Sequence, residues 1–536
     1  MSRKRDKPSK SKKNNGGVND YSQRMSRLKS QALVRVAQTA FDNNLYFQSA
    51  ALLEKALRRD PANVRLMADL ALVRGKMRDY AEAEELLDRA AKLAPRQPST
   101  LCMIAKVYAT IARPEQATDY YRRALALNAG TSSAVETLVD LSALYERRHL
   151  LDEARQLIDD ALERDPAHEK ARLQQAVIDR RSGDLDRCES RLRALLGAAQ
   201  CSVQISSSAW HELGQLLDSV NRFDEAFQAT LNAKQSTHAE STKAHLANEY
   251  AQAQNYQLLQ ALSAQHYDHW AALAEDDAPY RCALMTSYPR SGTTLAEQVL
   301  DSHDDFVSAD EFDVMDQWVF RPIVQRFPAN TPLLDIIEKV PAPVRHEARS
   351  TYWQRSENIF GEPIGNRMML DKNPALTQLL PWINWAFPEM RLLIALRDPR
   401  DVVLSYLFTL VPLNWMSAPA ISVVEACRFY ADTMRHWLWW RTRLAWPAHE
   451  ISYERLIAEP RLETERLAEF LGLSWQPAML EERLRSDRKA VRTPTYVDVT
   501  KPLYTRAIGR WKNYRNYLEP GLSILEPYVK LFGYEL

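Results

Sequence analysis

No apolar run in this chain approaches the ~18 residues that a membrane span requires, and the basic start is not followed by the apolar core of a signal peptide. A cytoplasmic protein without a membrane span is therefore expected. Net charge is also lacking: 70 Lys and Arg against 69 Asp and Glu leave +1, so no global excess points to nucleic acid. The basicity is local, in SRKRDKPSKSKK near the start, which has no hydrophobic face and reads as a disordered, solvated arm. Cysteine is scarce, and Cys102, Cys188, Cys201, Cys282 and Cys427 have no metal-like spacing. That excludes a structural zinc site and fits a reducing compartment. What remains is a globular composition, 46% hydrophobic with 13 Trp and 22 Tyr, spread over 536 residues, which is more than one core usually organises.

A repeat occupies the first half. Ala56, Ala90 and Ala124 stand 34 residues apart and Ala161 follows after 37. Ala83, Ala117 and Ala154 lie seven residues before the last three of these, and Pro61, Pro95 and Pro166 lie five residues after Ala56, Ala90 and Ala161. Small residues at such positions let paired helices approach closely, and the proline ends the unit by refusing to continue a helix. The period and pattern resemble the tetratricopeptide repeat, implying about six helical pairs between 30 and 236. AEAEELLDRAAKLAP, PEQATDYYRRALALNAG and LDEARQLIDDALERDP read as second helices, with further units near Cys188 and at DEAFQATLNAK. Such an array either stabilises or dimerises a chain, or offers a concave surface that grips a peptide or protein.

After residue 240 the texture changes. AHLANEYAQAQNYQLLQAL reads as a helical connector, after which the short apolar runs CALMTS, MML, RLLIAL and HEISY alternate with amphipathic helices. That alternation predicts a parallel sheet in an α/β domain, whose ligand sits beyond the carboxyl ends of the strands. The expected division is a tail over 1–27, a repeat domain over 28–240, a connector over 241–274 and an α/β domain over 275–536.

The turn after the first of those strands reads TSYPRSGTT. Gly292 permits a tight turn, and a helix starting near Thr293 adds its positive N-terminal field. Arg290 supplies a full charge with a bidentate fork, while Ser291, Thr293 and Thr294 supply hydroxyl donors. This is an anion cradle. A nucleotide triphosphatase loop would place a lysine after the glycine and needs an acidic strand end for magnesium; the loop lacks the first, and LRD at 396–398 is a poor candidate for the second. An anion that needs no metal suits the turn better.

YPRSGTTLAEQVLDSH resembles the 5'-phosphosulfate-binding segment of sulfotransferases, particularly the tyrosylprotein branch, in which arginine precedes Ser-Gly. LLIALRDPRDVVLSY is similar to the family's 3'-phosphate segment, which implies that Arg397 and Ser405 hold the 3'-phosphate of 3'-phosphoadenosine 5'-phosphosulfate (PAPS). SYERL resembles the family tyrosine near the nucleotide, at Tyr453, although a buried core tyrosine would read the same way. VTKPLYTRAIGRWKNY resembles two nucleotide-side patterns and offers Lys501 and Arg506, with Gly509 and Arg510 as weaker candidates. LDKNP resembles the active-site lysine segment, which implies Lys372 as a catalytic lysine. Arg290 replaces the lysine of the cytosolic small-molecule enzymes, and no counterpart of their catalytic histidine is found. His303 reads as a helix end.

The resemblance thus implies an N-terminal all-helical repeat solenoid followed by a P-loop-like α/β sulfotransferase domain with a central parallel sheet. It implies PAPS as donor, adenosine 3',5'-bisphosphate as product, and no metal. Catalysis would rest on Lys372, Arg290 and a base at Glu311, with Asp310 and Asp313 as rival carboxylates in the same loop. A carboxylate base suits an acidic hydroxyl such as a phenol, so a peptide or protein tyrosine recruited by the repeats is the favoured acceptor. A glycan, a lipid or a small phenolic metabolite remains open as acceptor. So do a homodimer and a non-catalytic scaffold with a nucleotide-binding domain.

Overall fold

The computed structural model describes residues 30–480 and 505–536, save for 43–44, 129–130, 132, 199–200, 236–237, 274–278, 309–310, 312, 329–330, 361, 412 and 444–445. The tail at 1–27 and Lys501 lie outside the described residues. The chain divides into two compact units between Arg164 and Asp165.

The first unit is helical. Its helices include Tyr46–Arg59, Val64–Lys76, Tyr80–Leu93, Pro98–Thr110, Pro114–Asn128, Ser133–Arg147 and Leu151–Arg164. The repeated alanines explain the spacing, because Ala56, Ala83, Ala90, Ala117, Ala124, Ala154 and Ala161 are all fully buried, each where a larger side chain would push the neighbouring helix away. The turn inside each pair repeats too. Arg78, Ala112 and His149 all take positive φ (64°, 57° and 58°), directly after a helix end. The next residue then donates back five positions: Asp79 N–H to Arg74 O at 2.9 Å, Arg113 to Tyr108 at 2.9 Å and Leu150 to Tyr145 at 3.0 Å. This is a left-handed helix cap of the Schellman type.

The same cap recurs in the second unit at Gly183 and Asn221, with φ of 83° and 63°, between helices Glu169–Arg181 and Leu185–Leu196 and between Val203–Ser219 and Phe223–Gln235. Helices His238–Ala261 and Ala264–Leu273 follow, and then the sheet. Its strands are β1 Cys282–Thr286, β2 Phe306–Ser308, β3 Met368–Lys372, β4 Arg391–Leu396 and β5 Ala448–Ser452. All neighbours are parallel, in the order β2-β3-β1-β4-β5. β1 and β3 are buried along their whole length, which is why CALMT and MML read as continuous apolar runs rather than alternating ones. Trp382, Trp385, Trp437 and Trp440 are buried in the core on the sheet's helical cover. No described helix is long and apolar enough to cross a membrane.

The caps give a test of the repeat register. A left-handed alanine costs about 1–2 kcal/mol that glycine avoids, against roughly 0.5–1 kcal/mol of extra backbone entropy. Ala112→Gly is therefore expected to leave the melting temperature unchanged or raise it, whereas Gly183→Ala lowers it. Thermal denaturation followed by circular dichroism checks both, and a clear loss for Ala112→Gly would contradict the cap.

Candidate functional site

Parallel pairing places every strand's carboxyl end on one edge of the sheet. The register aligns Met285 with Lys372, Thr286 with Ile394, Ser308 with Leu370 and Leu396 with Ser452. Strand order reverses at β1, between β3 and β4, which is where an α/β sheet opens a crevice for ligand.

The turn after β1 is held from below. Tyr288 is fully buried with its ring 5.2 Å from Tyr406, 5.4 Å from Phe429 and 5.2 Å from Tyr430, and the Thr377 hydroxyl donates to Ser287 O at 2.8 Å. Above that anchor Arg290 and Gly292 take φ of 75° and 96°. Glycine is required at 292 twice over, by that φ and because a Cβ there would lie 2.5 Å from Tyr453 Cδ2. Helix Thr293–Asp301 starts at once and no side chain caps it, so its first-turn amides are left for water or an anion. Ser291 and Thr293 are buried within the turn and Thr294 is half-buried.

The turn after β4 meets it. Arg290 Nε donates to Ser405 Oγ at 3.1 Å, across from helix Pro399–Leu407. Arg397 Nη1 donates to Arg290 O at 3.4 Å, its other terminal nitrogen donates to Ala507 O, and its guanidinium lies 4.8 Å from the centre of the Tyr453 ring. Arg397 Nε is buried with no hydrogen-bond partner among the described residues. The second arginine of the RDPRD run does different work: Arg400 pairs with Asp398 at 2.8 Å and lies 3.8 Å over Trp511. Asp401 accepts from the amides of Gly509 at 2.6 Å and Trp511 at 2.7 Å. Burial pushes its carboxyl up to about 6, against the pull of Arg397 and those amides.

A charged triad closes the other side. Lys372, at the end of β3, is fully buried, with Nζ 3.1 Å from Glu311 and 3.2 Å from Glu297. Glu311 is 41% exposed, so the pair reaches from solvent to the sheet edge. Glu297 is held on its other oxygen by the Ser308 hydroxyl at the end of β2. The sequence reading missed Glu297. The available signal was an acid four residues after Thr293, on the same helix face as the cradle. Asp313 accepts from Gln317 at 3.1 Å; partial desolvation and then the charge of Asp316 push its carboxyl up, a shift blunted by the water that reaches this exposed residue. His303 closes helix Thr293–Asp301 through its N–H to Leu300 O at 3.0 Å, and its ring bonds Ser474 O at 2.7 Å.

The structure thus brings together Arg290, Ser291, Gly292, Thr293, Thr294, Arg397, Ser405 and Tyr453, and beside them Lys372 with Glu311. Arg506 is turned elsewhere: it donates to Asp218 O at 2.7 Å, and Arg510 joins it on the same aspartate at 3.1 Å.

Residues 283–477, from β1 to beyond β5, match the model of the sulfotransferase family, and residues 98–131 match that of the tetratricopeptide repeat. The chain carries a sulfotransferase-family domain. Among relatives, an uncharacterized protein of Aquifex aeolicus is 25% identical over 254 residues, 46% of this chain and 32% of its own, so the match spans about a third of that relative's length. The sulfotransferase domain from the Synechococcus PCC 7002 olefin synthase is 19% identical over 48% of this chain and 96% of its own, with a TM-score of 0.33. Pseudomonas aeruginosa pilF is 16% identical over 39% of this chain and 92% of its own, with a TM-score of 0.31.

Beneath the site of the sulfotransferase-family domain lies a titratable group with a measurable signature. Asp371 points to the opposite face of β3 from Lys372, accepts from the Tyr352 hydroxyl at 2.9 Å, and has a second oxygen buried without a partner among the described residues. Burial pushes its carboxyl up to about 7. Its unfolded value is about 3.9, so the folded chain holds the proton more tightly. Its contribution to stability is fully present below about 4 and is lost as pH rises toward about 7. Asp371→Asn is expected to flatten the fall of melting temperature over that window and to match or exceed the parent at pH 8. An unchanged pH profile would show that Asp371 is not neutral in the fold.

Proposed function

We propose that the chain transfers the sulfuryl group of PAPS to the hydroxyl of a peptide or protein tyrosine. The observation that carries this reading is the meeting of the two anion-binding turns: Arg290 bonds Ser405 at 3.1 Å and Arg397 reaches Arg290 O at 3.4 Å, while Lys372 ends the strand alongside. Two cradles at adjoining strand ends suit a ligand with phosphates at both ends of a nucleoside. In this reading Arg290 with Ser291 through Thr294 takes the 5'-phosphosulfate, Arg397 and Ser405 take the 3'-phosphate, and Tyr453 packs between them. Lys501 belongs to the same proposed set.

The acceptor oxygen attacks sulfur as the bond from sulfur to the 5'-phosphate oxygen breaks, releasing adenosine 3',5'-bisphosphate. Positioning and charge stabilisation supply most of the acceleration in such a transfer. Glu311 takes the acceptor proton. Once neutral it holds Lys372 less strongly, which lets the ammonium turn toward the bridging oxygen together with Arg290. The tetratricopeptide repeats supply the surface that recruits the polypeptide.

Transfer of labelled sulfate from PAPS to a panel of tyrosine peptides, phenols, glycans and cell lysate tests this. Label is expected on a peptide or protein, reduced about 10²–10³-fold by Arg290→Ala and about 10²–10⁴-fold by Glu311→Gln. Label confined to glycans or small phenols would move the acceptor, and tight nucleotide binding without transfer to anything would leave a scaffold.

A further inference from the structure

The match to the sulfotransferase family ends at residue 477, yet the described chain returns to the donor side at 505–514. This returning strap is fastened from two directions. On the sheet side, Asp401 holds the amides of Gly509 and Trp511, and Arg397 donates to Ala507 O. On the other side, three side chains of the strap converge on one carboxylate of the helical pairs. Asp218, near the end of helix Val203–Ser219, accepts from the Tyr514 hydroxyl at 2.6 Å and from Arg510 at 3.1 Å, and Arg506 donates both to its backbone carbonyl at 2.7 Å and to its second carboxylate oxygen at 3.4 Å. Only 13% of the Asp218 side chain and 18% of the Arg510 side chain are exposed, so the bonds from Tyr514 and Arg510 are sheltered from competing water, whereas Arg506 closes the cluster from the solvent side.

The same helical pair also grips the chain after Ser405. Gln215 donates to Phe408 O at 3.2 Å and Lys234 to Thr409 O at 3.2 Å. Phe227 stacks on Tyr517 at 4.4 Å and leans on Phe408 at 6.3 Å. Both ends of the 3'-side cradle, the strap that carries Ala507 and the helix that carries Ser405, are therefore anchored on residues 215–234.

We infer that Asp218 is a positioning residue for donor recognition: by fixing the strap, it aims the Arg397 guanidinium and so sets how strongly the site distinguishes a nucleotide with a 3'-phosphate from one without. This rests on the PAPS reading above. The mechanism is local. Arg397 spends one terminal nitrogen on Ala507 O and another on Arg290 O, and its Nε is buried with no partner among the described residues. Displacing Ala507 rotates the fork, and the cradle loses its geometry while the turn at 287–292, held by Tyr288 and Thr377, stays in place.

The test measures dissociation constants of adenosine 3',5'-bisphosphate and adenosine 5'-phosphate by calorimetry on the full chain, for the parent, Asp218→Asn and Tyr514→Phe. The parent should prefer the bisphosphate. In Asp218→Asn that preference should shrink by about tenfold, the scale of losing charge-assisted hydrogen bonds, with little change for the monophosphate. KM for PAPS should rise by more than kcat falls. Tyr514→Phe, which removes one donor and leaves both arginines, should show the same change at smaller size and serves if Asp218→Asn fails to fold. A purely structural loss would weaken both nucleotides alike and overturn the inference, as would an unchanged preference in both variants. A parent that does not distinguish the two nucleotides would instead overturn the PAPS reading, and this inference with it.

Discussion

Parallel pairing of β1 with both β3 and β4 is the constraint from which the site follows. Parallel strands need crossovers, so each strand end is followed by a turn on the same edge and a helix that covers the sheet. Among the described strands β1 lies between β3 and β4, and its following turn can therefore touch residues from both. Arg290 reaches across to the β4 side at Ser405. The helix that follows the turn carries Glu297 back to the β3 side at Lys372. A turn at either sheet edge would have one neighbour and half a site.

The site holds its buried charge in three different ways, and burial decides among them. Glu297 and Lys372 pair directly, because neither could be desolvated alone without a cost of several kcal/mol. Asp401 is held by two backbone amides as well as by the charge of Arg397, and the amides tie the strap to the helix after β4. Asp371 has, among the described residues, one hydroxyl partner and a bare second oxygen, so taking up a proton relieves it better than any bond on offer. Three carboxylates of one domain thus do unlike work: one steadies a lysine, one fastens a strap and one is pushed toward its protonated form in the core.

What could be read from the sequence was whatever repeats or sits beside its partner in the chain. Ala83 and Ala90 were legible because a fixed period repeats a fixed steric demand. Gly292 was legible because a turn between an apolar run and a helix restricts its own backbone, although the positive φ of Arg290 left no such mark. Lys372 and Glu311 could be proposed separately from the segments they resemble; their contact at 3.1 Å could not be, since 61 residues separate them. Asp218 was out of reach altogether. It lies in an ordinary helical pair, and its partners Arg506, Arg510 and Tyr514 come almost 300 residues later. Arg506 carried a signal for anion binding, and only the fold reveals the internal anion it meets.

Chain division between Arg164 and Asp165 leaves the helical pairs from Glu169 onward in the same compact unit as the sheet. They share the cap and the buried alanines of the earlier repeats, yet Asp218, Gln215, Phe227 and Lys234 face the domain that follows them. A helix pair has two broad surfaces, and in an array each is ordinarily spent on the neighbouring pair. Here the last pair spends its outer surface on the strap and on the loop after Ser405. That surface would otherwise need a polar capping helix to stay soluble, and the sulfotransferase-family domain takes the place of the cap. The fusion is consequently more than a tether: removing those pairs would uncover Phe408, Tyr514 and Tyr517 and take away the carboxylate on which two arginines close.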